Sequence, residues 1–143
     1  MTHEEIVALF ARRDEAWKRR DAAALAADHA PDAVAESPMQ GRLEGRARIE
    51  KVYQEWIAAF PDFVFTTTDL LIDGNRVAQF FTIAGTQERP FGGVQPTGRK
   101  VQASGAWLYT IEDGFITHDR RVYDVTAVLV QMGVLRTKLV EPT

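Results

Sequence analysis

The stretch Phe63–Thr86, FVFTTTDLLIDGNRVAQFFTIAGT, decides the fold. Its arms, Phe63–Ile72 and Val77–Thr86, are rich in β-branched and aromatic residues, and Asp73-Gly74-Asn75 between them reads as a turn. This is a β-hairpin. Immediately upstream the period changes: Ile49, Val52, Tyr53, Trp56, Ile57 and Phe60 recur at helical spacing, and Pro61 ends that helix. Downstream, ERPFGGVQPTG (Glu88–Gly98) holds too many glycines and prolines for regular structure and reads as an ordered loop. Lys100–Ile111 and Phe115–Tyr123 follow as two more strands joined by a turn at Glu112-Asp113-Gly114. Val125–Leu135 reads as a short helix or strand that closes one end.

Further out, Ile6, Leu9, Phe10 and Trp17 form one apolar stripe on a helix over Glu4–Lys18, and the pairs Arg12-Arg13 and Arg19-Arg20 read as its solvated face. Asp21 is placed to cap a second short helix, AAALAADH, which Pro31 keeps from continuing. Asp32–Pro38 reads as extended, and Gly41 and Gly45 flank a loop. Helices first and antiparallel strands second give an α+β architecture, with a curved sheet wrapped around the N-terminal helices. Such a cone leaves an interior pocket at its mouth.

The composition fits a single domain over 1–143: 45% of the 143 residues are hydrophobic and 26% charged. Seventeen Lys and Arg against twenty Asp and Glu leave a net charge of -3, with no basic patch for nucleic acid and no polybasic block for a membrane. The chain has no cysteine, which excludes disulfides, thiolate catalysis and cysteine-ligated metal. The N-terminus shows neither a signal peptide nor a membrane span, so the expected location is cytoplasmic.

The strand Phe115–Tyr123 and the residue after it carry the most chemistry. Under strict alternation Ile116, His118, Arg120, Val122 and Asp124 share one face, while Phe115, Thr117, Asp119, Arg121 and Tyr123 share the other. Turned toward the helices, the first set would line the cavity with His118, Arg120 and Asp124. In a partly apolar site Asp124 would suit general acid/base work, and His118 titrates in the right range to assist. The alternatives are an Arg120–Asp124 ion pair and an Asp124 that caps the final helix. His3, His29 and His118 lie on separate elements, so no metal site is expected, and no nucleophile elbow or phosphate-binding glycine motif occurs. Trp17, Tyr53, Trp56, Phe81 and Trp107 are candidates for the pocket wall, although an aromatic residue more commonly belongs to the core.

Several short motifs in one order complete the reading: Ala59-Phe60-Pro61-Asp62-Phe63, Asp73-Gly74-Asn75-Arg76-Val77, Gly85-Thr86, Pro96-Thr97-Gly98-Arg99, Glu112-Asp113-Gly114 and Gln131-Met132-Gly133. In this order and spacing the chain resembles the SnoaL-like polyketide cyclases of the NTF2-like superfamily over nearly its whole length. The resemblance implies a curved antiparallel sheet with three helices, a hydrophobic pocket for a small-molecule ligand, a homodimer or higher oligomer, and no metal or organic cofactor. It also implies intramolecular aldol cyclisation or isomerisation of a hydrophobic carbonyl compound of polyketide type. Asp124 matches the family's general acid/base near the end of the last strand; His118 and Arg120, taken from the alternation of that strand, are the candidates for assisting or orienting it.

Two positions depart from the family's pattern. Gln87 stands where many relatives have His after Gly-Thr, and Glu36 where many have His, which changes the pocket's polarity; both join the candidate ligand contacts. Convergence of Glu36, Arg120 and Asp124 would instead resemble the water-activating site of limonene epoxide hydrolases. Tyr53 as an acidic donor would resemble ketosteroid isomerase. From another class, the fold also serves as a non-catalytic ligand-binding or dimerisation domain.

Overall fold

A computed structural model describes residues 1–136. Helices α1 (His3–Arg19) and α2 (Ala22–Ala27) lead into strands β1 (His29–Ser37) and β2 (Gly41–Glu44), and helix α3 (Arg46–Ala59) follows. Strands β3 (Val64–Asp73), β4 (Arg76–Thr86), β5 (Lys100–Glu112) and β6 (Phe115–Tyr123) then run in succession to helix α4 (Val125–Gln131).

Local chemistry fixes the element ends. Thr2 and Glu5 form a reciprocal capping box on α1, and the Asp21 carboxylate accepts from the Ala24 N–H at 2.9 Å to start α2. The turn between β5 and β6 is the two-residue Asp113-Gly114, both at positive φ (51° and 81°), the backbone of a type I′ hairpin.

The six strands make one curved, unclosed sheet in the order β2-β1-β6-β5-β4-β3. The antiparallel expectation is corrected at one pair: β1 and β6 run parallel. They can do so because α3 and four strands intervene, a connection long enough to return the chain in the same direction. The expected loop between Gly41 and Gly45 is likewise the short strand β2, paired with β1.

Ile6, Leu9, Phe10 and Trp17 of α1 and Ile49, Val52, Tyr53 and Trp56 of α3 are buried in one core with the inward residues of β4 and β5. Helix α4 packs on β5. Beyond the end of β6, the Gln131 amide accepts from Gln102 N at 2.6 Å and donates to Gln102 O at 2.8 Å, standing in for a strand partner on that stretch of β5.

Sheet curvature needs Gly105. A Cβ there would lie 2.5 Å from Val122 O and 2.6 Å from the Phe81 ring, so only glycine lets β6 and Phe81 close over this point.

Candidate functional site

The decisive local feature is a β-bulge. Ile111 pairs with Ile116, but the next pair is Thr110 with His118, so Thr117 is an extra residue in β6. One inserted residue reverses the alternation beyond it. Ile116 points inward before the bulge; after it Asp119 and Arg121 are buried, while Arg120 and Val122 are exposed. The expected inner face is thereby corrected: His118, Arg120 and Asp124 lie outside the cavity.

His118 Nε2 sits 3.1 Å from Glu36 Oε2, both side chains about half exposed. Arg120 is the register partner of Glu36 across β1 and β6, and no Arg120–Asp124 ion pair forms among the described residues. Asp124 is exposed, and its carboxylate accepts from Ala127 N at 2.9 Å as the N-cap of α4. Glu36, Arg120 and Asp124 therefore do not converge on an enclosed water. Gln87 is buried but off the cavity wall. Its amide donates to Arg89 O and Val94 O and accepts from Thr97 Oγ1, pinning the loop of residues 87–99.

Inside the cone lies a cavity of about 30 Å³, room for a water molecule or two. Trp17, Tyr53, Trp56, Phe81 and Trp107 line it, joined by Phe63, Phe65 and Ile83 on the apolar side. The polar wall consists of Ser37, Arg121 and Tyr123. A larger ligand enters only if this aromatic wall opens. The 87–99 loop, whose Phe91 ring lies 4.4 Å from that of Trp56, is the neighbouring segment not built into helix or sheet.

Behind the wall runs a buried charge network that sequence reasoning missed. Arg121 Nε donates to Asp119 Oδ1 at 2.9 Å, and the other Asp119 oxygen lies 3.0 Å from His29 Nε2. Burial pushes the Asp119 carboxyl up, but the Arg121 charge and the His29 hydrogen bond outweigh it and hold the pKa at about 2. Burial is the chief cause that holds His29 below its ordinary pKa; the Asp119 hydrogen bond opposes that shift, and Arg13 reinforces it. The neutral imidazole keeps one N–H for two facing acceptors, Asp119 Oδ2 at 3.0 Å and Leu25 O at 3.2 Å, and the charged Asp119 takes it as the stronger, charge-assisted bond.

Arg13, 1% exposed, completes the set and corrects its assignment to a solvated face. It donates to Leu25 O at 2.8 Å, to Asp28 Oδ2 at 3.1 Å and to Tyr53 Oη at 2.9 Å. Burial works against its charge, yet Tyr53, Tyr109 and Asp28 together raise its pKa and keep it cationic. The signal was present: Arg13 falls between Phe10 and Trp17 on the apolar stripe of α1.

Two buried polar atoms find no partner among the described residues, Trp107 Nε1 and Tyr123 Oη, and both belong to cavity-lining side chains. Ser37 and the Met39 main chain lie near the Tyr123 hydroxyl without completing a hydrogen bond. Burial raises the Tyr123 pKa against their pull, so the hydroxyl keeps its hydrogen. Arg121 stacks its guanidinium 4.4 Å from the Trp107 ring centre, and its Nη1 donates no hydrogen bond within the described residues. The side chains that line this largely apolar cavity thus include three with an unspent donor, Trp107, Arg121 and Tyr123.

A curved sheet around helices, enclosing an aromatic pocket with a few convergent polar groups, defines the NTF2-like α+β cone. Within that class the chain belongs to the SnoaL-like polyketide cyclase family, whose model matches residues 8–132. No curated protein matches its sequence significantly. Among solved structures it is similar to AclR from Streptomyces galilaeus, provisionally named a hydroxylase. The two share 27% identity and a TM-score of 0.83 over 94% of this chain and 100% of AclR. It is also similar to IdmH from Streptomyces antibioticus, provisionally named a polyketide cyclase, at 29% identity and a TM-score of 0.74 over 90% of this chain and 98% of IdmH. TsrD from Streptomyces laurentii shares the fold at 21% identity and a TM-score of 0.84, covering 94% of this chain and 99% of TsrD. No helix among the described residues is long and apolar enough to cross a membrane.

Proposed function

We propose that the protein is an enzyme acting on a hydrophobic, enolisable carbonyl compound of polyketide type, by acid/base chemistry of its own side chains that leads to aldol ring closure or isomerisation. One observation carries this reading: Trp107 Nε1, Tyr123 Oη and Arg121 Nη1 are unspent donors on one aromatic cavity. Donors without a competing acceptor suit an oxygen that gains negative charge, as a carbonyl oxygen does when its neighbouring carbon loses a proton. Asp119 fixes Arg121 so that the guanidinium need not reorganise as that charge develops.

This reading moves the chemistry from Asp124 to the inner face of β6. Among the described residues no Asp, Glu or His lines the cavity, which favours the second reading, a ligand-binding domain without turnover. A homodimer fits the exposed apolar row of Phe80 and Val122, which flank Ala106 on the outer face of the sheet; a monomeric sedimentation coefficient would reject it. A cytoplasmic location belongs to the same proposal and is checked by cell fractionation.

The test uses 2-tetralone, a flat bicyclic ketone, against its oxygen-free counterpart tetralin. All three tryptophans line the cavity, so intrinsic fluorescence reports its occupancy. The ketone is expected to bind about tenfold tighter, the worth of one good hydrogen bond, and Tyr123→Phe to narrow that gap. Equal affinity for the two compounds would sink the donor-lined reading.

A further inference from the structure

Tyr53 occupies a position no other cavity residue shares. Its Oη accepts from Arg13 Nη2 at 2.9 Å and from Arg121 Nη2 at 3.5 Å, while its own hydrogen finds no acceptor among the described residues. Trp17 packs against its ring in a T-shaped contact at 5.5 Å, and both guanidiniums lie within 6.0 Å of the ring centre, so the phenol is held in place from several sides.

We infer that Tyr53 is the proton-transferring residue of this cavity, giving its phenol hydrogen to the carbon beside the ligand's carbonyl and taking it back. This role rests on the carbonyl reading above. In the ketonising direction the enolate's C=C electron pair forms the new C–H bond and a lone pair on its oxygen closes to C=O. The electrons of the broken O–H bond stay on Oη; enolisation is the reverse and starts from the phenolate left when Oη has given its hydrogen to water, which is also how deuterium enters. The oxyanion left on Tyr53 would be met at once by two guanidinium donors already in place.

The other candidates lack that support. Ser37 shares a short hydrogen bond with the Gln40 side chain, and an oxyanion on Tyr123 would meet only Ser37 and the Met39 main chain, with no guanidinium hydrogen-bonded to its oxygen as on Tyr53. Asp119 and Asp28 lie behind the guanidiniums they neutralise, and His29 is fully buried against Asp119 and Leu25. Arg13 is then a positioning residue, aimed at Tyr53 by Leu25 O and Asp28. The ionisable groups facing the phenol are Arg13 from α1, Asp28 and His29 from the α2–β1 junction, Tyr109 from β5, and Asp119 and Arg121 from β6.

Exchange of the α-hydrogens of 2-tetralone in D₂O, followed by proton NMR, tests the role. The wild-type protein is expected to accelerate exchange over buffer, and Tyr53→Phe to lower that acceleration about 100-fold or more while the fluorescence-measured affinity persists. Replacing Tyr53 with 3,5-difluorotyrosine keeps the hydroxyl and its two donors, and should displace the pH dependence of exchange toward acid. Undiminished exchange by Tyr53→Phe, or an unmoved pH profile in the fluorinated protein, would overturn the role and leave the carbonyl reading standing. No acceleration by the wild-type protein would overturn both.

Discussion

Two histidine–carboxylate pairs of nearly equal length sit on opposite faces of one strand. His118 and Glu36 meet at 3.1 Å on the outside of the sheet, with side chains 42% and 44% exposed; His29 and Asp119 meet at 3.0 Å inside it, both at 0%. His118 and Asp119 are neighbours in the chain, so the difference arises from which way the strand turns each side chain. In water the outer pair is screened and contributes little. Within the cone the inner pair is enclosed with two arginines, and removing a charged member leaves its partner's charge uncompensated. Separation alone therefore says nothing about what a pair does; the surrounding dielectric does.

The largest effect should come from breaking the inner pair while the outer one serves as control. Asp119→Ala leaves Arg121 uncompensated and is expected to cost about 3–5 kcal/mol, against about 0–1 kcal/mol for Glu36→Ala, both read from urea unfolding. Similar losses for the two variants would show that the inner network is open to water.

Acid should separate the pairs next. Because burial holds folded His29 below its ordinary value of 6.5, the unfolded chain binds a proton that the folded chain refuses. Stability contributed by the neutral ring is complete above 6.5 and is lost as pH falls from there toward the lowered folded value. Asp119 repeats the loss at lower pH, as the carboxyl is protonated between 3.8 and about 2. Urea midpoints between pH 7.5 and 5 should fall in the wild type and in His118→Gln, with a flatter profile in His29→Gln. A slope that survives in His29→Gln and vanishes in His118→Gln would reverse the assignment.

Where local chemistry decided the structure, the sequence was readable. Asp21 caps α2, Asp113-Gly114 makes its hairpin, Pro61 lies just beyond the end of α3, and Trp17, Tyr53 and Trp56 from the stripes of α1 and α3 reach the cavity. Arg13 could have been read as well, since an arginine in register with Phe10 and Trp17 must be buried with partners. The inner face of β6 could not. Thr117 carries no mark of a bulge, and its consequence, the exchange of Asp119 and Arg121 for His118 and Arg120, depends on how β5 and β6 pair. The parallel contact of β1 with β6 is equally non-local, and it carries His29 alongside Asp119.

The smallest effect concerns Asp124, and it bears most directly on where the chemistry lies. Its carboxylate receives the Ala127 N–H, one of the donors that a helix start leaves unpaired. Alanine removes that acceptor and should cost about 1 kcal/mol, while asparagine caps as well as aspartate and should cost close to nothing. A proton-transferring carboxylate would follow another pattern, because asparagine cannot exchange a proton in this range and would be as damaging to turnover as alanine. Asp124→Asn should thus leave both the urea midpoint and the 2-tetralone exchange rate where they are. Loss of exchange at an unchanged midpoint would return the acid/base role to the outer end of β6, since a capping residue has no means of affecting turnover except through the helix it starts.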